Sequence, residues 1–336
     1  MKVLIIGAGA VGQVYARHLQ RGGAAVSVYV RPAYAQSCRD GLVMYPLREG
    51  RVPACADTLR PSAVLTSPQD IAQSTWDQLW LCVSSTALEG DWLGAVLAAA
   101  PDATVVTLQP GLKDRELLLQ HVPENKLVTG LITFIAWQAP LPGEHMDAPP
   151  GIMYWLPPLT GSPFSGPRST VKEITDTLKK GGMRASRQDN LPAQMAIAAA
   201  AMSPAMAGLE SAGWSFQQFR RGDAIRLAVA AARQSMVVAA AYHEQPPPMQ
   251  RLLMQVWLLK WVVLLAPRLM PFDLQRYLQY HFTKVGDQTR AALRITVAQG
   301  QQHNLPTDSV AELLASVTQM PQGRAPSPTD QNVEHQ

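Results

Sequence analysis

Three glycines near the start of the chain carry the first chemical signal. In VLIIGAGAVG, Gly7, Gly9 and Gly12 stand in G-x-G-x-x-G register, directly after an apolar run and directly before a helix-like one. Each has its own physical task. Gly7 permits a tight turn, Gly9 lets the backbone approach a pyrophosphate, and Gly12 lets the following helix pack close to the sheet. Ala8, Ala10 and Val11 complete the turn, whose amides open a helix N-terminus toward phosphate oxygens. The spacing alone is weak. At the head of a chain that alternates β and α signals it reads as a dinucleotide-binding turn. A glycine turn kept only for packing is the competing account.

Arg31 gives the second signal. NAD sites usually place Asp or Glu about 20 residues past the glycines, on the ribose 2′-hydroxyl. Here VYVR ends on Arg31, and the next acid is Asp40. A guanidinium suits a 2′-phosphate through paired, charge-assisted hydrogen bonds. The expected cofactor is therefore NADP(H) rather than NAD, against the alternative of an ordinary surface arginine. Further on, Ser84 and Ser85 follow the apolar run QLWLCV, and Gln109 and Pro110 follow ATVVTL. Ligands of open α/β sheets lie at the carboxyl ends of the strands, so these four residues extend the candidate cofactor edge. Pro110 has no backbone donor, so its turn contributes shape rather than an amide.

The elements that must hold these residues alternate. KVLIIG, AAVSVYVR, QLWLCVS, ATVVTLQ, KLVTGLITFIAWQ and GIMYWLP read as strands, and a small hairpin is expected around Glu49-Gly50. AVGQVYARHLQRG reads as a helix stopped by Gly22-Gly23, and RSTVKEITDTLKKGG as a helix with Ser169 or Thr170 near its N-cap. Such alternation predicts an α/β fold with a doubly wound parallel sheet. After about residue 189 almost every segment reads as alanine-rich helix, including FDLQRYLQYHFTKVGDQTRAALR as one helix. The expected organisation is a Rossmann-type domain over 1–189, an all-helical substrate and dimerisation domain over 190–320, and a disordered tail over 321–336.

Composition narrows the partners. The chain has 336 residues, 47% of them hydrophobic, which is enough for two cores, and a formal charge of +4. Residues 190–320 hold 11 Lys+Arg against 7 Asp+Glu, a mild excess that suits a small anionic ligand better than nucleic acid. Cys38, Cys55 and Cys82 have no metal-like spacing, and an odd count fits a reducing cytoplasm. LLMQVWLLKWVVLLAP, 252–267, falls short of a membrane span and reads as a buried helix; the aromatic and methionine residues of 249–272 are expected in the core, with a subunit interface as the second reading. The histidines outside 277–290, His18 among them, are expected at the surface. No metal, nucleic-acid or membrane role is expected.

The pieces together resemble the ketopantoate reductase (2-dehydropantoate 2-reductase) family. The likeness rests on GAGAVGQVYARHL, on Arg31, on LWLCVSSTALE, VVTLQPGLKDRE and VTGLITFIA, on MSPAMAG, and on AQGQQHNLPTDSVAELL. It implies a Rossmann domain and a helical domain. It further implies NADPH, and hydride transfer to a 2-oxo acid such as ketopantoate in the cleft between them. The departures are as informative. Ser84-Ser85 stand where members carry Lys-Ala, Pro110 where they carry Asn, Gln194 and Met195 where a catalytic lysine is expected, and Ser203-Pro204 in place of Asn-Pro.

Hydride transfer to a ketone needs a proton donor or a strong stabiliser at the developing alkoxide. Helical spacing puts Tyr277, His281, Lys284 and Gln288 on one polar face, near where the family holds its substrate. Lys284 is the candidate proton donor or carboxylate anchor, with His281 and Gln288 as substrate contacts. Ser203 is a candidate for a substrate oxygen or for the cap of a helix break at Pro204. Glu210 is a candidate acid or base, with a surface or capping role as its alternative. The expectation is an NADPH-dependent reductase of a small anionic carbonyl compound, working as a homodimer. The alternatives are an NADP-dependent oxidoreductase on another carbonyl or imine, and a cofactor-binding protein without turnover.

Overall fold

The structure is a computed structural model that describes residues 1–47 and 56–319. The expected hairpin tip at Glu49-Gly50 and the 321–336 tail lie outside the described residues. The chain divides into two compact units, Met1–Ala199 and a second that begins at Ala200.

The first unit opens with β1 (Lys2–Ile6), α1 (Ala10–Arg21), β2 (Ala25–Tyr29), α2 (Ala35–Asp40), β3 (Leu42–Pro46), β4 (Asp57–Leu59), β5 (Val64–Leu65) and α3 (Pro68–Ala72). It continues with β6 (Gln78–Leu81), α4 (Trp92–Ala98), β7 (Thr104–Thr107), α5 (Asp114–Leu119), β8 (Leu127–Gly130) and β9 (Ile135–Ala139). β10 (Gly151–Trp155), β11 (Ser162–Ser165), α6 (Arg168–Lys180) and β12 (Ala185–Arg187) complete it. Eight strands form the main sheet in the order β12-β11-β8-β7-β6-β1-β2-β5, parallel except where β11 runs against β8. A second sheet, β4-β3-β10-β9, holds the remaining four. The α/β expectation holds, with an N-terminal Rossmann-like domain and a helical second part.

Register positions the working edge. Ile6 lies opposite Tyr29 on β2 and opposite Leu81 on β6, and Leu81 lies opposite Thr107 on β7. Four carboxyl ends therefore finish level. β1 is held by burial on both faces: Val3 and Ile5 pack into one core with Val14, Trp80 and Phe164, while Leu4 and Ile6 pack into another with Leu79, Leu93 and Leu118. A continuous apolar run is what a strand covered on both sides requires.

Three readings of this unit change. KLVTGLITFIAWQ is two strands in two different sheets, β8 and β9, because the chain leaves the main sheet after Gly130. α6 starts at Arg168 behind Pro167, so Ser169 and Thr170 lie inside its first turn. His18 is buried rather than exposed: its Nδ1 lies 2.9 Å from the Gly181 carbonyl, and burial lowers its basicity.

The second unit takes over inside α7 (Leu191–Ser211) and continues with α8 (Phe216–Arg221), α9 (Ala224–Tyr242), α10 (Val256–Leu269), α11 (Leu274–Lys284), α12 (Gly286–Gln302) and α13 (Asp308–Thr318). α7 runs unbroken through Pro204, although proline removes one helical hydrogen bond. Flanking helical turns and a buried Pro204 hold it, so Ser203 does not cap a break. Among the described residues two apolar clusters lie in this unit. Leu293, Val310, Leu313 and Val317 centre one; Leu209, Phe219, Ile225 and Ala228 centre the other, with Leu278 and Phe282 against it. Among the described residues one helix, α9, is long and apolar enough to cross a membrane, and 56% of that window is buried inside the fold. α10 departs from its reading as a buried helix, since none of its residues is buried.

Glu210 has a structural partner. Its Oε1 accepts from Arg290 Nη2 at 2.6 Å, and the same nitrogen donates to the Val317 carbonyl at 3.0 Å. The side chains of Arg290 and Glu210 are only 6% and 15% exposed. The pair ties α7, α12 and the end of α13, which replaces the acid–base reading of Glu210 with a packing one. Removing one member of a buried pair strands the other charge. Glu210→Ala should cost about 3–5 kcal/mol in urea unfolding, and Glu210→Met with Arg290→Met should recover most of that loss.

Candidate cofactor site

The glycine turn has the geometry its residue types require. Gly7 sits at φ +95°, a region that side chains disfavour, and its amide donates to the Tyr29 carbonyl at 3.0 Å. A Cβ on Gly12 would stand 2.1 Å from the Gly7 carbonyl oxygen, so only glycine lets α1 come this close to the strand end. A Cβ on Gly9 would meet nothing within 4 Å. That open backbone leaves room for a phosphate group. The first turn of α1 carries no acid and no side-chain cap, so its amides and the positive end of its dipole remain for an anion. The Gln13 amide nitrogen donates to the Ala8 carbonyl at 2.8 Å and steadies the loop from behind.

Arg31 follows β2 and is exposed. Its guanidinium carbon lies 5.1 Å from the Tyr34 ring centroid, and Nη2 donates to the Tyr34 hydroxyl at 3.1 Å. The contact leaves the planar cation pre-aimed at the end of β2.

The two loops beyond β6 and β7 are stitched together. Gln109 is 7% exposed. Its Nε2 donates to the carbonyls of Leu81 (2.9 Å) and Val83 (2.7 Å), and its Oε1 accepts from Thr107 Oγ1 (2.7 Å) and the Leu108 amide (3.1 Å). Both donors and both acceptor directions of the side chain are engaged. Gln109 therefore shapes the edge from inside. Ser84 Oγ lies 3.1 Å from Thr86 Oγ1, within its own loop. Ser85 Oγ donates to Asp114 Oδ2 at 2.6 Å, and the Gly111 amide donates to the same oxygen at 2.7 Å. Pro110 thus sits between two clamped residues, Gln109 and Gly111, in a turn that does not depend on a donor from position 110.

Asp114 is the residue that sequence reasoning missed. Burial raises its pKa above that of an ordinary aspartate and Glu89 adds to the rise, while the Ser85 hydroxyl and the Gly111 amide oppose it. A Gly-x-x-Asp spacing ahead of the apolar run LLL was its available signal, a relative of the capping box.

The catalytic candidates lie in the second unit. Tyr277, His281 and Lys284 share α11, but the helix ends at Lys284, and Gln288 belongs to the first turn of α12. The single non-helical residue Val285 resets the periodicity, so the four-residue polar face expected across 277–290 is not one face. His281 stacks on Tyr277 at 5.5 Å with rings 23° apart. Burial, with the nearby Lys284 charge second, lowers His281 to about 4, and burial raises Tyr277 to about 12. Both are neutral near pH 7. Lys284 is exposed at the C-terminal end of α11, and Ser203 lies within α7.

Residues 3–153, which contain the glycine turn and both stitched loops, match the family model of ketopantoate reductase PanE/ApbA. Over these residues, just under half of the chain, the sequence matches the ketopantoate reductase family. Its members and structural neighbours are oxidoreductases. The structure is similar to a ternary complex of D-mandelate dehydrogenase with NADH and anilino(oxo)acetate: TM-score 0.71, 16% identity, 95% of this chain and 97% of that chain covered. It is also similar to 2-dehydropantoate 2-reductase from Geobacter metallireducens GS-15 (TM-score 0.69, 15% identity, 95% and 99% covered). A PanE/ApbA family ketopantoate reductase from Ralstonia eutropha JMP134 gives TM-score 0.69 at 19% identity, with 95% and 97% covered. At these identities the likeness is one of fold across both units. A search of curated proteins gives no match.

The raised pKa of Asp114 fixes the sign of one pH effect. The folded chain takes the Asp114 proton at a higher pH than the unfolded chain does. Ionised Asp114 therefore costs stability above that window, and the cost disappears as pH falls through it toward about 4. Asp114→Asn keeps an acceptor oxygen and removes the charge. Its melting temperature should exceed the parent's by roughly 2–4 °C at pH 7, and the gap should close toward pH 4. A gap that does not change with pH would sink the assignment.

Proposed function

We propose that the chain is an NADPH-dependent reductase of a small 2-oxo acid of the ketopantoate type, acting in a reducing cytoplasm. The observation that carries this reading is the open Gly9 backbone at an acid-free helix N-terminus, within residues 3–153 that match the family. Gly7 to Gly12 would hold the pyrophosphate, and Arg31 would hold the ribose 2′-phosphate where an NAD site would carry an acid. The Ser84-Ser85 and Pro110-Gly111 loops, fixed by Gln109 and Asp114, would form the wall beside the reduced ring. Bound NADPH would supply the hydride.

The substrate side then needs a cation and a proton. Lys284 can do both jobs: anchor the carboxylate, or donate to the alkoxide as it forms. His281 is neutral at working pH, so it serves as a hydrogen-bonding contact and not as the acid. Ser203 and Gln288 are the remaining candidates for substrate oxygens. Because the lysine expected on α7 is replaced by Gln194 and Met195, this reading makes Lys284 the replacement cation.

A second reading keeps the hydride chemistry and changes the substrate. Residues 198–202, AAAAM, are apolar, and the neighbour carrying anilino(oxo)acetate is named as a D-mandelate dehydrogenase. A bulkier, less polar 2-oxo acid is the substrate class this observation favours.

Steady-state NADPH oxidation with ketopantoate and a panel of aliphatic and aromatic 2-oxo acids tests both readings. Lys284→Ala should lower kcat/KM by about 100-fold or more while leaving NADPH affinity within about threefold. Turnover unaffected by the change removes Lys284 from the chemistry. Arg31→Ala should weaken NADPH at least tenfold, about 1.4 kcal/mol, and leave NADH unchanged. Equal effects on both cofactors would overturn the 2′-phosphate role. NADPH binding without turnover on any panel member would favour the non-catalytic alternative.

A further inference from the structure

A pocket in the first unit takes no part in the cofactor edge. It lies where three connections meet: β8 to β9, β10 to β11, and α6 to β12. Its volume is about 240 Å³, the space of roughly eight waters at their liquid density. Phe134, Leu156, Pro157 and Met183 give it apolar walls. Leu159 stands at the mouth, 86% exposed and held at φ +67°, a left-handed backbone that a bulky side chain disfavours. Among the described residues, none of the glycine turn, Ser84, Ser85, Gln109 or Gly111 lines this pocket.

A chain of three hydroxyls ends at the pocket. Tyr15 is fully buried, with the ring centroids of Trp80 and Phe134 5.0 and 5.1 Å from its own. Burial keeps its phenol protonated. The Tyr15 hydroxyl donates to Ser162 Oγ at 3.3 Å, and Ser162 Oγ lies 3.2 Å from Thr133 Oγ1. Three hydroxyls carry three hydrogens, and two contacts use two of them. Ser162 is 1% exposed, so an unused hydrogen there would be buried without an acceptor, which is costly. Ser162 therefore donates to Thr133. The remaining hydrogen belongs to Thr133, a half-buried residue of the pocket wall. The chain runs one way, from Tyr15 outward, and leaves a donor facing the pocket.

Arg184 supplies charge to the same pocket. It is exposed, and among the described residues its side chain makes no ion pair or hydrogen bond. No carboxylate is among the described residues that line the pocket.

We propose that this pocket binds a small carboxylate with an apolar body, about six to nine non-hydrogen atoms in all, with Thr133 donating to a carboxylate oxygen and Arg184 holding the charge. A donor and a cation without an acid exclude a cationic ligand. An inorganic oxyanion would leave the apolar walls bare, whereas a hydrocarbon end fills them and covers Leu159. The site is separate from the proposed reaction and does not rest on it.

The test titrates the purified chain with isovalerate and with its neutral analogue isovaleramide, followed by calorimetry and by backbone amide shifts. The parent should bind isovalerate with a dissociation constant of roughly 0.1–1 mM, and the amide at least tenfold more weakly. Amide shifts should concentrate at 131–134, 156–162 and 182–184. Arg184→Gln should weaken isovalerate about tenfold and leave the amide unchanged, so that the two ligands become alike. Thr133→Val should weaken both ligands, by about fivefold. Circular dichroism and melting check that each variant folds, and the exposed Arg184 keeps the test decisive if Thr133→Val does not. Saturating NADPH should leave isovalerate affinity within about twofold. Absence of binding at about 10 mM isovalerate overturns the proposal. So does binding that survives Arg184→Gln, binding that NADPH abolishes, or amide shifts confined to other segments.

Discussion

The approach of α1 to the end of β1 is the constraint on which the rest of the first unit depends. No side chain fits between the Gly12 backbone and the Gly7 carbonyl. Because that gap is closed, the helix N-terminus stands directly over the strand end. Because β1 is buried on both faces, that strand end cannot drift. The neighbouring strands finish level with it through in-register pairing. The glycine turn is thus an outcome of packing, and at Gly9 its backbone stays open.

The second unit is organised differently. Its helices are rich in alanine, so small side chains and a few specific contacts set their spacing. The Glu210–Arg290 pair is the most buried of these contacts and joins three helices at one point. A buried ion pair brings little net stability relative to apolar packing, but it specifies which helix turns meet. Alanine-rich faces alone do not specify that, since one alanine turn resembles the next.

Much of the first unit was legible in the sequence. A short apolar strand, three glycines at fixed spacing and a following helix are strongly local signals, and Arg31 needed only a count from the last glycine. The tasks of Gln109 and Asp114 were not legible, because each bonds atoms brought together by tertiary structure. Leu81 and Val83 are remote in sequence from Gln109, and Ser85 from Asp114. The break at Val285 was hidden for another reason. Only Gly286 follows it, and a lone glycine inside an otherwise helical pattern is tolerated and does not by itself mark a helix end. His18 was misplaced because its type is polar, while its helix face is decided by the close passage of α1 and α6. The exposure of α10 was equally invisible, because an apolar run looks the same whether its cover comes from within the chain or from outside.

The saturation of Gln109 also bears on how such a site can change over generations. One side chain holds the loop after β6 through two backbone carbonyls and shapes the loop after β7 from its own position, while Asp114 closes the other side. Neither loop is then an independent unit of variation. An insertion in one must spare the carbonyls of Leu81 and Val83, and a replacement in the other must preserve an amide of glutamine's reach. Between those fixed points, position 110 donates no amide hydrogen bond and is the place where substitution is easiest. Diversity along this edge should therefore concentrate at a few unbonded positions, with the two loops inherited as a pair.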